Sequence, residues 1–128
     1  MTVRARVRPD HAGIARMVHQ EYIYDHLEAR ADRVIIRAKV TAPARSYEYR
    51  SRIGRERFAT ARRAGVRVVA RAPHSLIVER GSRPHVIEPR RKQALAWPGA
   101  AYPVARVHHP GTPAMHILRN ALRAAGDR

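Results

Sequence analysis

Histidine is the residue type in this chain best suited to metal binding or acid–base catalysis, and there are eight of them. His108 and His109 are adjacent, so in a strand their side chains point to opposite faces and cannot share an ion. His19 and His26 are seven residues apart, about two turns along a helix. No pair at four-residue spacing is followed by a carboxylate. The histidines therefore predict surface and turn positions, with no metal site and no cofactor.

Nucleophilic and acid–base groups are also poorly arranged for catalysis. No serine stands in the Gly-x-Ser-x-Gly pattern of a nucleophile elbow, and the glycines form no phosphate-binding loop. The carboxylates pair at helical spacing, Glu21 with Asp25 and Glu28 with Asp32. Since supporting groups for proton transfer are missing, these pairs indicate a lightly acidic helix face that can meet a neighbour's arginines. We expect no catalytic residue and no enzymatic activity.

Positive charge is the strongest chemical signal in the sequence. The 26 basic residues, almost all of them arginine, stand against 10 acidic ones and give a net charge of +16. A GC-rich genome accounts for arginine over lysine but not for the excess over acids. The excess indicates a partner with phosphates or an acidic surface; the alternative is a solvated basic surface. Because stacking aromatics and base-reading motifs are missing, any contact with duplex DNA would be nonspecific.

Two arginine-rich segments are the candidates for such contacts. Residues 44–65 are punctuated by glycine, and their sequence allows a mobile arm, a short helix that orders against a partner, or an exposed loop. Residues 80–92 form a proline-bounded loop, which places flexible cations at an edge where phosphates can be reached. The predicted interface or DNA-facing residues are Arg50, Arg52, Arg55, Arg57, Arg80, Arg83, Arg90, Arg91 and Lys92.

Length and composition predict one domain over residues 1–128, with residues 1–9 as a flexible arm or an edge strand. Apolar residues make up 45% of the chain and aromatic residues only 5%, so the core should depend on Val, Ile, Leu and Ala. There is no cysteine for disulfide or thiolate chemistry. The apolar runs are too short for a membrane span of about 20 residues. We therefore expect no membrane partner.

The first half predicts one long helix from Asp10 to about Val40. Asp10 suits the N-cap position, and Pro43 disfavours helical backbone in the residue before it. One apolar stripe recurs at helical spacing: Ile14, Met17, Val18, Tyr24, Leu27, Ala31, Val34, Ile35 and Ala38. Four arginines fall mostly off this stripe: Arg16, Arg30, Arg33 and Arg37.

The second half predicts short strands at 66–70, 74–79, 86–87, 94–97 and 104–108. Pro110, Gly111 and Thr112 are predicted to be structural: the first two suit a type II turn, and Thr112 suits the N-cap of a last helix that begins at Pro113. That helix should end at Gly126 and bury Ala114, Ile117, Leu118, Ala121, Leu122 and Ala125. The predicted fold class is α+β: a long N-terminal helix, a small antiparallel sheet of short strands with a protruding loop, and a C-terminal amphipathic helix.

Four motifs follow one another in a characteristic order. They are Thr41–Pro43, Val78–Pro89 (VERGSRPHVIEP), Ala94–Trp97 (ALAW) and Val107–Thr112 (VHHPGT). Through them the chain resembles the tail-completion and head–tail connector (neck) proteins of long-tailed bacteriophages, across roughly residues 30–125. It departs from the family pattern at Arg45–Tyr49, where the family usually has a Thr-Gly element.

The resemblance implies a structural virion protein that forms a homo-oligomeric ring between head and tail, around the DNA path. The implied partners are further copies of the chain, an adaptor or stopper, the tail terminator and the major tail protein, with nonspecific contact to genomic DNA. The implied location is the neck or tail of the virion, after assembly in the host cytoplasm. A Gly111→Val change is predicted to disrupt assembly through the turn. The alternatives are a small basic nucleic-acid-binding module and an enzyme like the ribonuclease toxins.

Overall fold

Helices and short antiparallel strands make up the structure, a computed structural model that describes residues 5–43, 47–61 and 63–126. The fold class is α+β, as predicted. The described residues divide into two compact units: unit 1 holds those up to Ala72 and those from Leu118 onward, and unit 2 is Pro73–Ile117. Residues 5–9 are exposed and form neither helix nor strand, and the rest of the predicted arm lies outside the described residues.

The predicted long N-terminal helix is two helices, α1 (His11–Met17) and α2 (Glu21–Thr41). Asp10 caps α1 as predicted, because its carboxylate accepts a hydrogen bond of 2.9 Å from the Gly13 amide. The helices are separate because Gln20 is extended, with ψ of 144°, and starts a new N-terminus. None of the residues of α1 is buried, so packing does not hold it in line with α2. α2 ends where predicted, since Ala42 before the proline is extended.

Helix α2 packs one face into the core of unit 1. Tyr24, Ala31, Val34 and Ala38 are buried on that face, which confirms the predicted apolar stripe for this helix. In α1 the prediction is wrong, since Ile14 and Met17 are about half exposed. The apolar stripe is therefore continuous in the sequence, but its side chains are buried only where strands cover them.

The segment 44–65 is mostly regular structure in unit 1. It contains a short helix, α3 (Tyr47–Ser51), and a strand, β1 (Ile53–Ala59), which pairs antiparallel with β2 (Ala64–Ala70). Residues 44–46 and 62 lie outside the described residues. The alternative of an exposed loop is thus wrong for the described part, because β1 finds its partner in the strand that the sequence did predict.

Unit 2 begins with a helix where a strand was predicted. Residues 74–79 were expected to be extended, but α4 spans Ser75–Arg80. Leu76, Glu79 and Arg80 are good helix formers, and a short alternating run can suit either structure. The carbonyls of Val78 and Glu79 do accept backbone hydrogen bonds, but from the segment before the last helix.

A two-stranded ladder forms the middle of unit 2. β3 (His85–Ile87) pairs antiparallel with β4 (Val107–His109), in the register His85↔His109. The predicted strands at 94–97 and 104–108 are otherwise wrong: residues 94–106 contain one isolated bridge, Leu95↔Val104. Prolines at 98 and 103 remove backbone donors from both chain segments on the loop side of that bridge, so the ladder is not favoured to extend toward the loop.

The ladder continues through a crossing of two glycine-flanked segments. Ser82 and Thr112 exchange backbone hydrogen bonds of 2.9 and 3.1 Å. Gly81 and Gly111 have φ of +73° and +89°, the region that favours glycine. A Cβ atom on Gly111 would lie 2.4 Å from the Ser82 carbonyl oxygen, and one on Gly81 would lie 2.3 Å from that of Thr112. The glycine conformation expected at position 111 is confirmed, but its neighbour Thr112 bonds across the ladder instead of closing a tight turn.

The last helix, α5 (Ile117–Gly126), begins later than predicted. The Thr112 N-cap is wrong because Thr112 belongs to the ladder, and the Met115 and His116 amides donate to carbonyls of α4. Those backbone groups are therefore committed before a helix can start at Pro113. Of the predicted buried residues, Ile117 and Ala121 are buried, but Leu122 is 63% exposed.

Candidate interaction surfaces

Carboxylates on α2 and arginines on β1 form an ion-pair cluster inside unit 1. Arg57 contacts Glu28 closely and lies 2.7 Å from a Glu21 oxygen. Arg55 contacts Asp32 closely and lies 3.3 Å from Glu28. The acidic face of α2 was expected to meet a neighbour's arginines, and the structure corrects this: the arginines come from the same chain. Glu28, at the centre of the cluster, holds the two arginines together.

The cluster shifts the pKa values of its central pair, Glu28 and Arg57. The hydrogen bond from the Arg57 guanidinium lowers the pKa of Glu28 below its ordinary value; burial of the carboxyl opposes the shift, and the charges of Arg57 and Arg55 add to it. Hydrogen bonds to Glu28 and then Glu21 raise the pKa of Arg57 further. The guanidinium carbon of Arg57 also lies 4.8 Å from the centre of the Tyr24 ring, a cation–π contact. The cluster thus holds β1 against α2.

We expect Glu28→Gln to lower the melting temperature at pH 7 by a few degrees. The lowered pKa means that ionised Glu28 stabilises the fold above the ordinary glutamate pKa of about 4.5, and that this contribution is lost as the pH falls through the folded-state value. The difference between wild type and variant should therefore shrink and vanish in acid. Thermal unfolding across pH 3–7 measures it, with Glu88→Gln in the exposed loop of unit 2 as the control. A constant difference at every pH would contradict the linkage.

The other two predicted arginines of segment 44–65 are also engaged within the chain. Arg50 is partly buried and donates a hydrogen bond of 2.8 Å from Nη2 to the Ala42 carbonyl, which ties α3 to the end of α2. Arg52 forms an ion pair of 3.0 Å with Glu48 along α3. All four arginines proposed from this segment thus have intramolecular partners. Their part in an interface or a DNA contact stays a prediction.

The five predicted cations of residues 80–92 differ from the arginines of segment 44–65 in their lack of carboxylate partners among the described residues. They are exposed, and among the described residues none of them lies within ion-pair distance of a carboxylate: Arg80, Arg83, Arg90, Arg91 and Lys92. The segment around Arg90 to Lys92 is a series of bends without a hydrogen-bonded partner strand. These cations are available to a partner, but the backbone does not fix their spacing.

A second cationic surface was not predicted from the sequence as a binding site. His26, Arg30, Arg33 and Arg37 line a shallow groove of about 600 Å³, closed on its other side by Ala124 and Ala125 of α5. We call these four residues the basic face of α2. It lies about 140° around the helix from the acidic face, because the two series are offset by five residues. The spacing of four, three and four residues was the signal that could have revealed it.

Unit 1 also has an open apolar groove of about 690 Å³ between α2, β2 and α5. Its apolar lining comes from Leu27, Ala31, Val34, Val66, Val68, Leu118, Leu122 and Ala125. Arg30, Arg67 and Arg119 line it as well. The exposure of Leu122 follows from this groove, since α5 does not close over β2.

Two histidines of unit 2 have structural roles in the ladder. The rings of His85 and His109 stack with centroids 5.0 Å apart. His85 Nδ1 lies 2.8 Å from the Arg83 carbonyl, which can only accept, so this nitrogen donates. His109 Nδ1 accepts a 3.0 Å hydrogen bond from the Gly111 amide. Each Nδ1 is thus committed to the backbone. In the described ranges, no group of three or more His, Asp or Glu side chains is placed to hold a metal ion.

Among known proteins, no family model, no curated protein and no solved structure matches this chain. Within residues 5–43, 47–61 and 63–126, no helix has both the length and the apolar character needed to cross a bilayer. Function is therefore argued from the motifs and from the surfaces themselves.

Proposed function

We propose that this chain is a structural subunit of the head–tail junction of a long-tailed bacteriophage. Copies of it would form a ring that joins or completes the tail around the DNA path, in contact with an adaptor or stopper, the tail terminator and the major tail protein. In this proposal the protein functions through contacts with other proteins and catalyses no reaction. The protein would be assembled in the host cytoplasm and retained in the neck or tail of the virion.

The distribution of apolar side chains is the observation that carries the proposal. Among the described residues, fifteen large apolar side chains are exposed and five are buried. The buried five are Tyr24, Val34, Tyr49, Ile53 and Ile117. Single exposed apolar residues are ordinary, but this ratio favours a protein that covers much of its surface by association. Ring subunits do so, since each one presents two different patches to its neighbours.

The motifs behind the resemblance also belong together in space. The glycine-containing segment of Val78–Pro89 pairs with Val107–Thr112 through β3, β4 and the Ser82–Thr112 crossing. Two sequence motifs about thirty residues apart are thus the two sides of one ladder. Such a ladder explains why both motifs carry a glycine, and it supports treating them as one structural signature.

The direct test is to delete the gene from its phage. We expect full heads and separate tails in negative-stain images of the deletion lysate, and joined particles when the wild-type gene is supplied in trans. A complementing variant with Trp97→Ala and Tyr102→Ala should restore joining at least tenfold less well. These side chains are 51% and 71% exposed in unit 2, and Trp and Tyr dominate protein interfaces.

Two controls make this test specific. The purified Trp97/Tyr102 variant should unfold at the wild-type temperature, since surface changes usually alter stability by less than about 0.5 kcal/mol. Tyr22→Ala, an exposed aromatic on α2, should complement normally. Normal tailed particles in the deletion lysate, or absence of the chain from wild-type virions, would sink the proposal. An RNA-cleavage assay of the purified protein tests the enzymatic alternative.

A further inference from the structure

The basic face of α2 has a fixed geometry. His26, Arg30, Arg33 and Arg37 are spaced by four, three and four residues, so they follow one side of the helix for about 16 Å. All four are exposed. The small side chains of Ala124 and Ala125 opposite them leave the groove open to a large ligand.

Within residues 5–43, 47–61 and 63–126, the positive charge of this face is not offset. In the part of the chain that the structure describes, no carboxylate lies within 4.0 Å of Arg30, Arg33 or Arg37. On the acidic side of the same helix, by contrast, Arg55 and Arg57 pair with carboxylates. Like charges one turn apart destabilise a helix. A ligand with negative charge would relieve this repulsion.

Among the described residues nothing supplies that negative charge, so another molecule is the candidate source. Of the 10 carboxylate residues in the sequence, seven already form ion pairs within the chain: Asp10, Glu21, Asp25, Glu28, Asp32, Glu48 and Glu56. A second copy of this chain therefore has few carboxylates left to offer to the basic face. A second basic face of the same kind would also repel this one.

The lining of the groove favours nucleic acid over an acidic protein. Alanine is its only apolar residue type, whereas the centres of protein–protein interfaces are rich in large apolar and aromatic side chains. Protein–DNA interfaces are more polar and more positively charged. The imidazole of His26 is the single ring in the lining, with no Phe, Tyr or Trp beside it, so the row of aromatic side chains on which successive bases of a single strand stack is not provided here. Duplex is the form that this surface fits.

We propose that the basic face of α2 binds the phosphate backbone of duplex DNA without reading its sequence. A length of about 16 Å along a duplex presents roughly nine phosphates, more than enough for the three arginines of the face. The proposal assigns the contact to a rigid helix and not to Arg50, Arg52, Arg55 and Arg57, whose charges are engaged within the chain. It does not depend on the virion role, because purified protein is sufficient to test it.

The test is fluorescence anisotropy of short labelled duplexes with the full-length protein, between about 50 and 200 mM salt. Wild type should bind two unrelated sequences equally, and a single strand of the same length more weakly. The variant Arg30→Gln/Arg33→Gln/Arg37→Gln keeps good helix formers at these positions. It should bind at least tenfold more weakly, and the slope of log K against log salt should become shallower by about 2.7 for three lost phosphate contacts.

The matched control removes three charges elsewhere. Arg6→Gln/Arg8→Gln/Arg106→Gln changes exposed arginines that lie outside both the basic face and the predicted loop 80–92, and it should retain most of the affinity and the slope. An equal loss in both variants would overturn the proposal, because the effect would then be one of net charge. So would tighter binding of the single strand, or tighter binding of poly-glutamate than of duplex. DNA binding with normal phage assembly in the deletion lysate would refute only the neck role, and defective assembly without DNA binding would refute only this inference.

Discussion

Gly111→Val is expected to separate the two segments that cross at Ser82 and Thr112. Gly111 has a φ of +89°, and forcing a β-branched residue into that region costs about 1–3 kcal/mol. Its Cβ would also lie 2.4 Å from the Ser82 carbonyl oxygen, and crowding a packed site costs about 1–3 kcal/mol more. Both terms act on unit 2, so the ladder should open before unit 1 unfolds.

Amide hydrogen exchange measures this directly, because the Ser82 and Thr112 amides are bonded across the crossing. In the variant both should lose protection. The control is Gly99→Val in the same unit: its φ is +93°, but nothing lies within 4 Å of the added Cβ. The Gly99→Val variant should lose only the stability that corresponds to a β-branched residue with positive φ. Equal effects of the two substitutions would mean that the close approach of the two segments does not matter.

Tyr49→Ala should cause the largest loss of stability in unit 1. Tyr49 is the largest side chain with no exposed surface, on the short helix α3. Replacing a buried aromatic residue by alanine costs about 3–5 kcal/mol, from lost burial and from the cavity that is left. Chemical denaturation with urea should show this loss, with an unchanged dependence on urea concentration if the folded and unfolded states keep their compactness.

Tyr47→Ala is the matched control, since Tyr47 lies two residues earlier on the same helix and is 78% exposed. It should change stability by less than about 0.5 kcal/mol. If both variants lost similar stability, the effect would come from helix propensity in α3 and not from the core. That result would return segment 44–65 to the peripheral role that its sequence suggested.

Local rules were sufficient for several elements of the fold. The Asp10 cap, the end of α2 before Pro43, the strand at 66–70 and the positive φ of Gly111 each depend on a few neighbouring residues, and each is observed. The incorrect predictions share one cause, which is contact with residues remote in the sequence. Residues 74–79 and the start of α5 were assigned by local pattern, but hydrogen bonds from Met115 and His116 to α4 decide both. A pattern within a few residues cannot report a partner more than thirty residues away.

The candidate surfaces likewise combine properties that the sequence predicts with properties that only tertiary contacts decide. The excess of arginine was evident in the sequence, but not which arginines are available to a partner. Arg55 and Arg57 seemed free because Glu28 is 27 and 29 residues away, and the packing of β1 against α2 brings them together. Arg30, Arg33 and Arg37 seemed ordinary surface residues until the carboxylates of the same helix were found to be engaged on its other side.

Composition and local pattern alone determined the charge of this protein, its α+β class and the end of its principal helix, because these depend on residue types and on spacing along the chain. Tertiary structure alone decided which charges cancel, which backbone atoms Gly81 and Gly111 approach and where the last helix begins. Those properties depend on distances between residues that are remote in sequence. A distance of that kind is set by the packing of strands and helices, and it leaves no mark within a short segment.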